Sequence, residues 1–379
     1  MKFLDLTREY KYYSWEKALA PVFENTSFIN GPQVKKFEEE IAAVIGSKFA
    51  VGVGSGTDAL EVAFLSLGLK NPTVLTTPYT FIATTEIPYR LGANIVFLDI
   101  AEDFNIDIDK VKEYISKTPP NVFLPVHLFG KPVKLDKELL ELCHEKGVVI
   151  IEDAAQAMGT RFASGGCDLC KGLLGKQHVG SFGEMGCFSF FPAKNLGCAG
   201  DGGLVTMDDE ILYEKAKAMR NHGSKIKYQN EMHGGNFRLD SVQAALLSAK
   251  LLHLDDMLVS RIRTASVYNN AFAEFYDDLV CPKTCEGEVH TYNQYVLRVK
   301  KGRRDGLQAY LKNWGGIPTA IYYPRSLAEQ PCYANMNLEH KECVNASRAA
   351  LENLALPIAY LTEEEVGLVI EGVRSFYNG

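Results

Sequence analysis

No apolar stretch of the chain approaches the roughly 20 residues that a membrane-spanning helix needs. The opening "MKFLDLTREYKYYSWEKALA" carries charges throughout, where a signal peptide would have its apolar core. A cytoplasmic protein without a membrane partner is therefore expected. No run of Lys and Arg occurs either: 40 basic residues stand against 47 acidic ones, a net charge of -7, with a pI near 5.7. That balance offers nucleic acid or an anionic bilayer no general attraction. The nine cysteines are scattered, odd in number and without regular spacing, which excludes a disulfide framework and suits reduced thiols. Internal repeats and low-complexity segments are also missing. What remains is an ordinary globular composition, 379 residues with 46% hydrophobic and 23% charged, enough for two or three domains of about 150 residues.

The first thirty residues, aromatic-rich and ending at "SFINGPQV", read as an arm. "PQVKKFEEEIAAVIG" then sets Val34, Phe37, Ile41 and Val44 at helical spacing on one side. Seven β-rich runs follow: "FAVGVG", "TVLTTPYT", "NIVFLDI", "NVFLPVHL", "GVVIIED", "GCFSFF" and "GGLVTM". Helical patterns such as "TDALEVAFLSLGL" and "KLDKELLELCHEKG" separate several of them. Strands apolar on both faces and joined by helices predict an α/β fold, a mostly parallel seven-stranded sheet flanked by helices. Beyond the long helical region that begins "DSVQAALLSAK" the pattern changes. "TYNQYVLRV" reads as a strand, "RRDGLQAYLKNWG" as a helix, and a short "IPTAIYY" precedes two final helices. The expected division is an arm at 1–30, a large domain at 31–250 and a smaller C-terminal α+β domain at 251–379.

Ligands of such sheets gather at the carboxyl ends of the strands, and four strand exits carry suggestive residues. "GVGSGTDAL" opens a helix. Gly56 and Thr57 either cradle a phosphate with free amides or form a tight turn with Thr57 as the helix cap. A dinucleotide fingerprint fits worse, because Thr57 stands where its third glycine belongs and no acidic residue follows at the ribose distance. Asp153 ends "VVIIED", a strand of fully buried character, so its carboxylate must be paired, hydrogen-bonded or neutral. A protonated ring nitrogen would pair with it; capping a following helix is the alternative. Phe81 in "TTPYTFIATTE" can stack on a planar ring or pack into the core. "FSFFPAKN" supplies Ser189, within reach of a phosphate, and Lys194, set between an aromatic run and four glycines. A sequestered amine is a potential nucleophile, and glycine-rich backbone admits a bulky ligand. A phosphate site, an acid for a pyridinium, a stacking aromatic and a sequestered lysine together make the parts list of a pyridoxal phosphate (PLP) site.

The chain resembles the DegT/DnrJ/EryC1/StrS sugar aminotransferases, which have the fold of aspartate aminotransferase (PLP fold type I). The matching stretches run over nearly the whole length and include "FINGPQVKKFEEEIA", "GVGSGTDAL", "TFIATTE", "IEDAAQAMG", "GSFGEMGCFSFFPAKNLGCAGDGG", "NFRLDSVQAALL" and "IPTAIYYP". The resemblance implies that Lys194 is the Schiff-base lysine and proton carrier, that Asp153 binds the pyridine nitrogen, that Gln156 lies near the cofactor hydroxyl and that Phe81 stacks on the ring. It further implies a phosphate held by Gly56, Thr57 and Ser189, with Asn236 reaching it from the other subunit of a homodimer, and substrate contacts from Arg238, Tyr322 and Tyr323. A salt bridge beside the "DSVQAALL" helix is the alternative for Arg238.

The implied reaction moves an amino group from glutamate, through PLP and pyridoxamine phosphate (PMP), to a nucleotide-linked keto-deoxysugar. Gln156 in "EDAAQ" points by resemblance to a 3-keto-6-deoxyhexose on dTDP. The alternatives are a C-4 aminotransferase, a sugar dehydratase, which would carry histidine in place of Lys194, and a non-catalytic PLP-binding regulator. The chain departs from the pattern in two places. Tyr322-Tyr323-Pro324 stands where the family often has His-Tyr-Pro. The glycine-rich segment 163–179 is longer than usual and carries Cys167, Cys170 and His178. Structural zinc takes four ligands and this segment offers three, so no metal is expected and a loop near the substrate entrance is.

Overall fold

The computed structural model describes residues 1–162, 178–226, 228–285, 287–334, 339–340 and 343–379. Each of the seven β-rich runs forms a strand of one sheet: β1 (Phe49–Val53), β2 (Thr73–Thr76), β3 (Asn94–Phe97), β4 (Val122–Leu124), β5 (Val149–Asp153), β6 (Met185–Ser189) and β7 (Gly203–Met207). They lie in the order β1-β7-β6-β5-β4-β2-β3. Only β7 runs against its neighbours; the other pairings are parallel. Glu339–His340 adds two parallel residues at the β3 edge. The strands are apolar on both faces because helices cover both, as parallel sheets require.

The chain leaves β2 for β3 in one direction and returns through β4, β5 and β6 in the other. That reversal opens a crevice beyond the strand ends, between the β2 and β4 exits. The exits of β1, β2, β4, β5 and β6 surround it.

The Pro32–Ile45 helix buries Val34, Phe37 and Ile41 as its spacing predicts, but Val44 is 47% exposed and Ile45 is buried instead. At 100° per residue Val44 falls about 80° off the line of Val34, whereas Ile45 falls about 20° off it. Gly46, in the left-handed conformation at φ 80°, ends the helix. The smaller α+β part holds the helices Leu254–Phe272, Arg304–Gly315 and Glu363–Asn378. Its antiparallel sheet comprises Leu279–Val280, Tyr295–Val299 and Asn353–Leu356. The sequence pattern foretells Tyr295–Val299 but not Asn353–Leu356. The "IPTAIYY" segment contributes only a single bridge, from Ala320 to Ala355.

The N-terminal arm is more than extended chain. It folds a helix at Trp15–Glu24 and buries Glu9. Glu9 pairs with Lys250, and its other oxygen accepts the Tyr360 hydroxyl at 2.6 Å. Lys250 Nζ also donates to the carbonyl of Gly197 at 2.6 Å, tying the arm to the loop that carries Lys194. Cys167 and Cys170 lie outside the described residues. His178 is buried; its Nε2 accepts the Gly159 amide at 2.9 Å and its Nδ1 meets the Val179 carbonyl at 2.7 Å. Burial pushes its imidazole down to about 4. Among the described residues no cluster of His, Cys, Asp and Glu suits a metal ion, and no helix is long and apolar enough to cross a membrane.

Candidate active site

The crevice is a cleft of about 460 Å³, and Gly56, Thr57, Phe81, Asp153, Gln156, Ser189, Lys194, Tyr322 and Tyr323 all line it. Nine of the expected residues, scattered between positions 56 and 323 of the sequence, therefore meet in one place. Asn236 and Arg238 do not line it. They sit on a segment bridged to the end of β1, where Gly54 N–H donates to Phe237 O at 2.9 Å and Val53 pairs with Arg238. Asn236 is exposed. Arg238 makes no ion pair among the described residues, so the salt bridge offered as its alternative role is absent, and its Nε is buried without a partner.

At the β1 exit the helix Gly56–Leu67 starts against the cleft. Ser55, not Thr57, caps it: the Ser55 hydroxyl accepts Asp58 N–H at 3.0 Å. Helix geometry leaves the amides of Gly56 and Thr57 without intrahelical partners. These amides, the positive end of the helix and the Ser189 hydroxyl across from them can hold a phosphate.

Asp153, at the end of β5, is 5% exposed. One carboxylate oxygen accepts the Thr84 hydroxyl at 2.8 Å and the other accepts Ala155 N–H at 3.1 Å. It therefore caps a turn rather than a following helix. Burial raises its carboxyl above the usual range, and the two donors counter that only in part. A buried carboxylate short of compensation favours a cationic neighbour. Phe81, expected to stack or to pack into core, is 56% exposed at the β2 exit. Its open aromatic face suits a ring and rules out the core alternative.

Lys194 sits on the turn after β6, where its N–H donates to Phe191 O at 2.8 Å. Its Nζ makes no hydrogen bond or ion pair among the described residues. Burial lowers its ammonium to about 8, with Asp153 opposing the shift. The glycines beyond it serve a different purpose from the expected ligand approach. A Cβ on Gly197 would lie 2.4 Å from Pro192 O, and one on Gly203 2.2 Å from Ser55 O. They let the lysine loop fold onto itself and against the phosphate helix.

Gln156 Oε1 accepts Phe129 N–H at 2.7 Å, which turns its amide nitrogen toward the Tyr323 hydroxyl at 3.3 Å. Tyr79, buried at the β2 exit, accepts Tyr323 N–H at 3.0 Å and donates to Tyr322 O at 2.9 Å. Asn353 receives Tyr322 N–H at 2.7 Å. The two tyrosines thus hang between Tyr79, at the β2 exit, and Asn353, at the start of the Asn353–Leu356 strand. Behind the site, Glu152 is fully buried and accepts the amides of Gly180, Phe182 and Gly183 at 2.7, 2.7 and 2.8 Å. His127 Nδ1 accepts Val133 N–H at 2.9 Å, so its Nε2 carries the proton donated to Glu152 at 3.0 Å.

Thr84, Ser55, Phe191, Asp201, Asn293 and Gln294 belong to the cleft as well. Thr84 had a legible signal, a hydroxyl in the first turn after a strand exit. Asn293 and Gln294 precede the Tyr295–Val299 strand of the antiparallel sheet, and nothing local in "TYNQYVLRV" marks them.

A lysine with a lowered pKa, a buried carboxylate coupled to it, an open aromatic face and a helix start facing them define a site of the PLP-enzyme class, and the residues present fit that cofactor. The chain belongs to the DegT/DnrJ/EryC1/StrS aminotransferase family, whose model matches residues 14–374. It is a PLP-dependent aminotransferase of fold type I. It is 39% identical to the "pleiotropic regulatory protein" of Geobacillus stearothermophilus, covering 99% of this chain and 98% of that protein. It is 34% identical to the UDP-N-acetyl-3-dehydro-alpha-D-glucosamine 3-aminotransferase of Acidithiobacillus ferrooxidans, covering 95% and 93%. Among solved structures, Streptomyces venezuelae DesV in complex with a ketimine intermediate superposes with a TM-score of 0.90 at 34% identity, over 100% of this chain and 98% of that one. Bacillus subtilis NtdA with bound PMP gives 0.86 at 26% identity, over 100% and 85%.

Proposed function

We propose that the chain transfers the amino group of glutamate to a nucleotide-linked 3-keto-sugar, specifically a dTDP-3-keto-6-deoxyhexose. The observation that carries this reading is the meeting of Lys194 and Asp153 at adjoining strand exits, with the open face of Phe81 beside them. Relatives named as 3-amino-sugar transaminases support C-3 as the carbon, with UDP-linked and dTDP-linked examples. Retention of Lys194 favours amino transfer over dehydration and over passive binding.

The residues divide the work as follows. The Gly56 and Thr57 amides with Ser189 anchor the phosphate, Phe81 covers the ring face, and Asp153 keeps the ring nitrogen protonated. When bound, PLP supplies an electron sink for the pair released as the carbon–hydrogen bond beside the amine breaks. Lys194 holds and returns the proton. With a pKa near 8, its amine is partly neutral at pH 7 to 8, as a base for this task must be. Gln156 would lie beside the cofactor hydroxyl, with Tyr322 and Tyr323 left to contact the substrate.

We further propose an obligate homodimer. The described cleft-lining residues include Asp153 and Asp201 but no cation except Lys194, whereas glutamate and a nucleotide diphosphate are anions. Arg238 and Asn236, which are not among the residues lining their own cleft, complete the partner's in this reading. The division into 1–30, 31–250 and 251–379 and a cytoplasmic location belong to the same proposal.

The test is a panel of UDP- and dTDP-linked 3-keto and 4-keto sugars with glutamate, read by product mass and NMR. An amine at C-3 of the dTDP-6-deoxyhexose is expected. Turnover of the 4-keto isomer alone overturns the regiochemistry. Loss of cofactor absorbance with glutamate but no sugar product overturns the acceptor class, and no response to glutamate favours a regulator.

A further inference from the structure

Residues 291–294 form a bend just before the strand Tyr295–Val299, and buried bonds fix its backbone. Arg261, 2% exposed on the Leu254–Phe272 helix, donates to the carbonyls of Tyr292 and Asn293, both at 3.3 Å. Thr291 N–H donates to Gly130 O at 3.0 Å and Gln294 N–H to Phe129 O at 3.4 Å. The Thr291 and Thr160 hydroxyls meet at 2.7 Å. The bend is thereby pinned to the β4 exit of the large domain. Its side-chain amides are not pinned: among the described residues neither Asn293 nor Gln294 makes a side-chain hydrogen bond. Asn293 is 3% exposed and its Oδ1 is buried without a partner, yet both residues line the cleft with Gln156 and Tyr323. Buried polar atoms in a native fold are nearly always satisfied. A rigid bend that presents to a cleft one buried amide oxygen without a partner and a second amide without an internal hydrogen bond is built for a ligand.

We propose that Asn293 and Gln294 are a specificity-determining pair that hydrogen-bonds the ring hydroxyls beside the keto carbon of the sugar, an inference that rests on the aminotransferase reading above. A carboxylate only accepts hydrogen bonds and calls for cations, which this bend does not offer. A neutral amide carries both an acceptor and donors, which matches a hydroxyl that does both. The smaller domain thus reads the acceptor substrate while the large domain holds the cofactor.

Asn293→Ala and Gln294→Ala, loaded with PLP, test this with the two half-reactions measured separately by single-turnover absorbance. The sugar half-reaction should lose about tenfold in kcat/KM, the equivalent of one neutral hydrogen bond, while the glutamate half-reaction stays within about twofold. Calorimetric binding of the nucleotide-linked amino sugar should weaken by a similar factor. An analogue lacking the hydroxyl next to the keto carbon should be discriminated by the wild type and not by the variants. Equal losses in both halves, no loss, or retained discrimination by both variants overturns the inference. A wild type that runs neither half-reaction removes the aminotransferase reading and this inference with it. Should Asn293→Ala lower Tm, Gln294→Ala, with no hydrogen bond to lose, decides the outcome.

Discussion

Lys194 and Asp153 restrain each other. Burial pushes the lysine toward its neutral form, and the nearby carboxylate pulls it back. In the cofactor-free protein the rate of PLP uptake should therefore rise with pH through about 8, not through the ordinary lysine range, because only the neutral amine attacks the aldehyde. Asp153→Asn removes the opposing charge, so the midpoint should fall below 8. The same substitution should lower transamination by roughly 10²-fold or more. Its effect on stability runs the other way. The carboxyl pKa is raised in the folded state, so the folded chain holds its proton more tightly than the unfolded one. Cofactor-free stability is therefore greatest below the unfolded carboxylate pKa and is lost as pH rises through the folded one. A neutral amide escapes that loss, and Asp153→Asn should raise the Tm of the cofactor-free protein at pH 7. A lower Tm with an unchanged uptake profile would refute this account of the pair.

The strand that delivers Asp153 depends on Glu152, one residue earlier and on the opposite face. Four donors converge on its carboxylate, three amides and His127 Nε2, and burial is overcome so that its pKa falls below the usual range. Glu152→Gln turns an NH₂ group toward amide donors and leaves at least one unsatisfied, a loss of roughly 1–3 kcal/mol. Thermal unfolding should move down by roughly 1–4 °C; an unchanged Tm would show that the four donors do not need the second carboxylate oxygen. The strands themselves were readable because a parallel sheet buried on both faces leaves unbroken apolar runs. Asn353–Leu356 was not, because its four residues follow a helix directly and pair with Tyr295–Val299 and, through one bridge, with Ala320, both distant in sequence. The helix cap fell to Ser55 rather than Thr57 for a similar reason, since cap and first turn differ by one residue and only the backbone angles decide. Lys194, Asp153 and Phe81 were legible from strand-exit position and from resemblance. Asn293 and Gln294 were not, since only the long-range bonds of their bend to Phe129 and Gly130 bring them to the cleft.

Among the described residues no cation except Lys194 lines the cleft, and the proposed dimer is a functional requirement on that ground. Lys194→Ala and Asn236→Ala subunits, each inactive alone, should regain roughly a quarter of wild-type activity when mixed and allowed to reassort, since a mixed dimer keeps one intact site. Verified exchange without recovery would count against shared sites.

The most direct measurement follows the nitrogen itself. Enzyme loaded with PLP is given ¹⁵N-labelled glutamate and a dTDP-3-keto-6-deoxyhexose, and the sugar product is examined by NMR. The account predicts ¹⁵N bonded to C-3 of the sugar with wild-type protein and none with Lys194→Ala. Unlabelled sugar from a wild-type enzyme that binds PLP, or equal labelling by the Lys194→Ala variant, would contradict it.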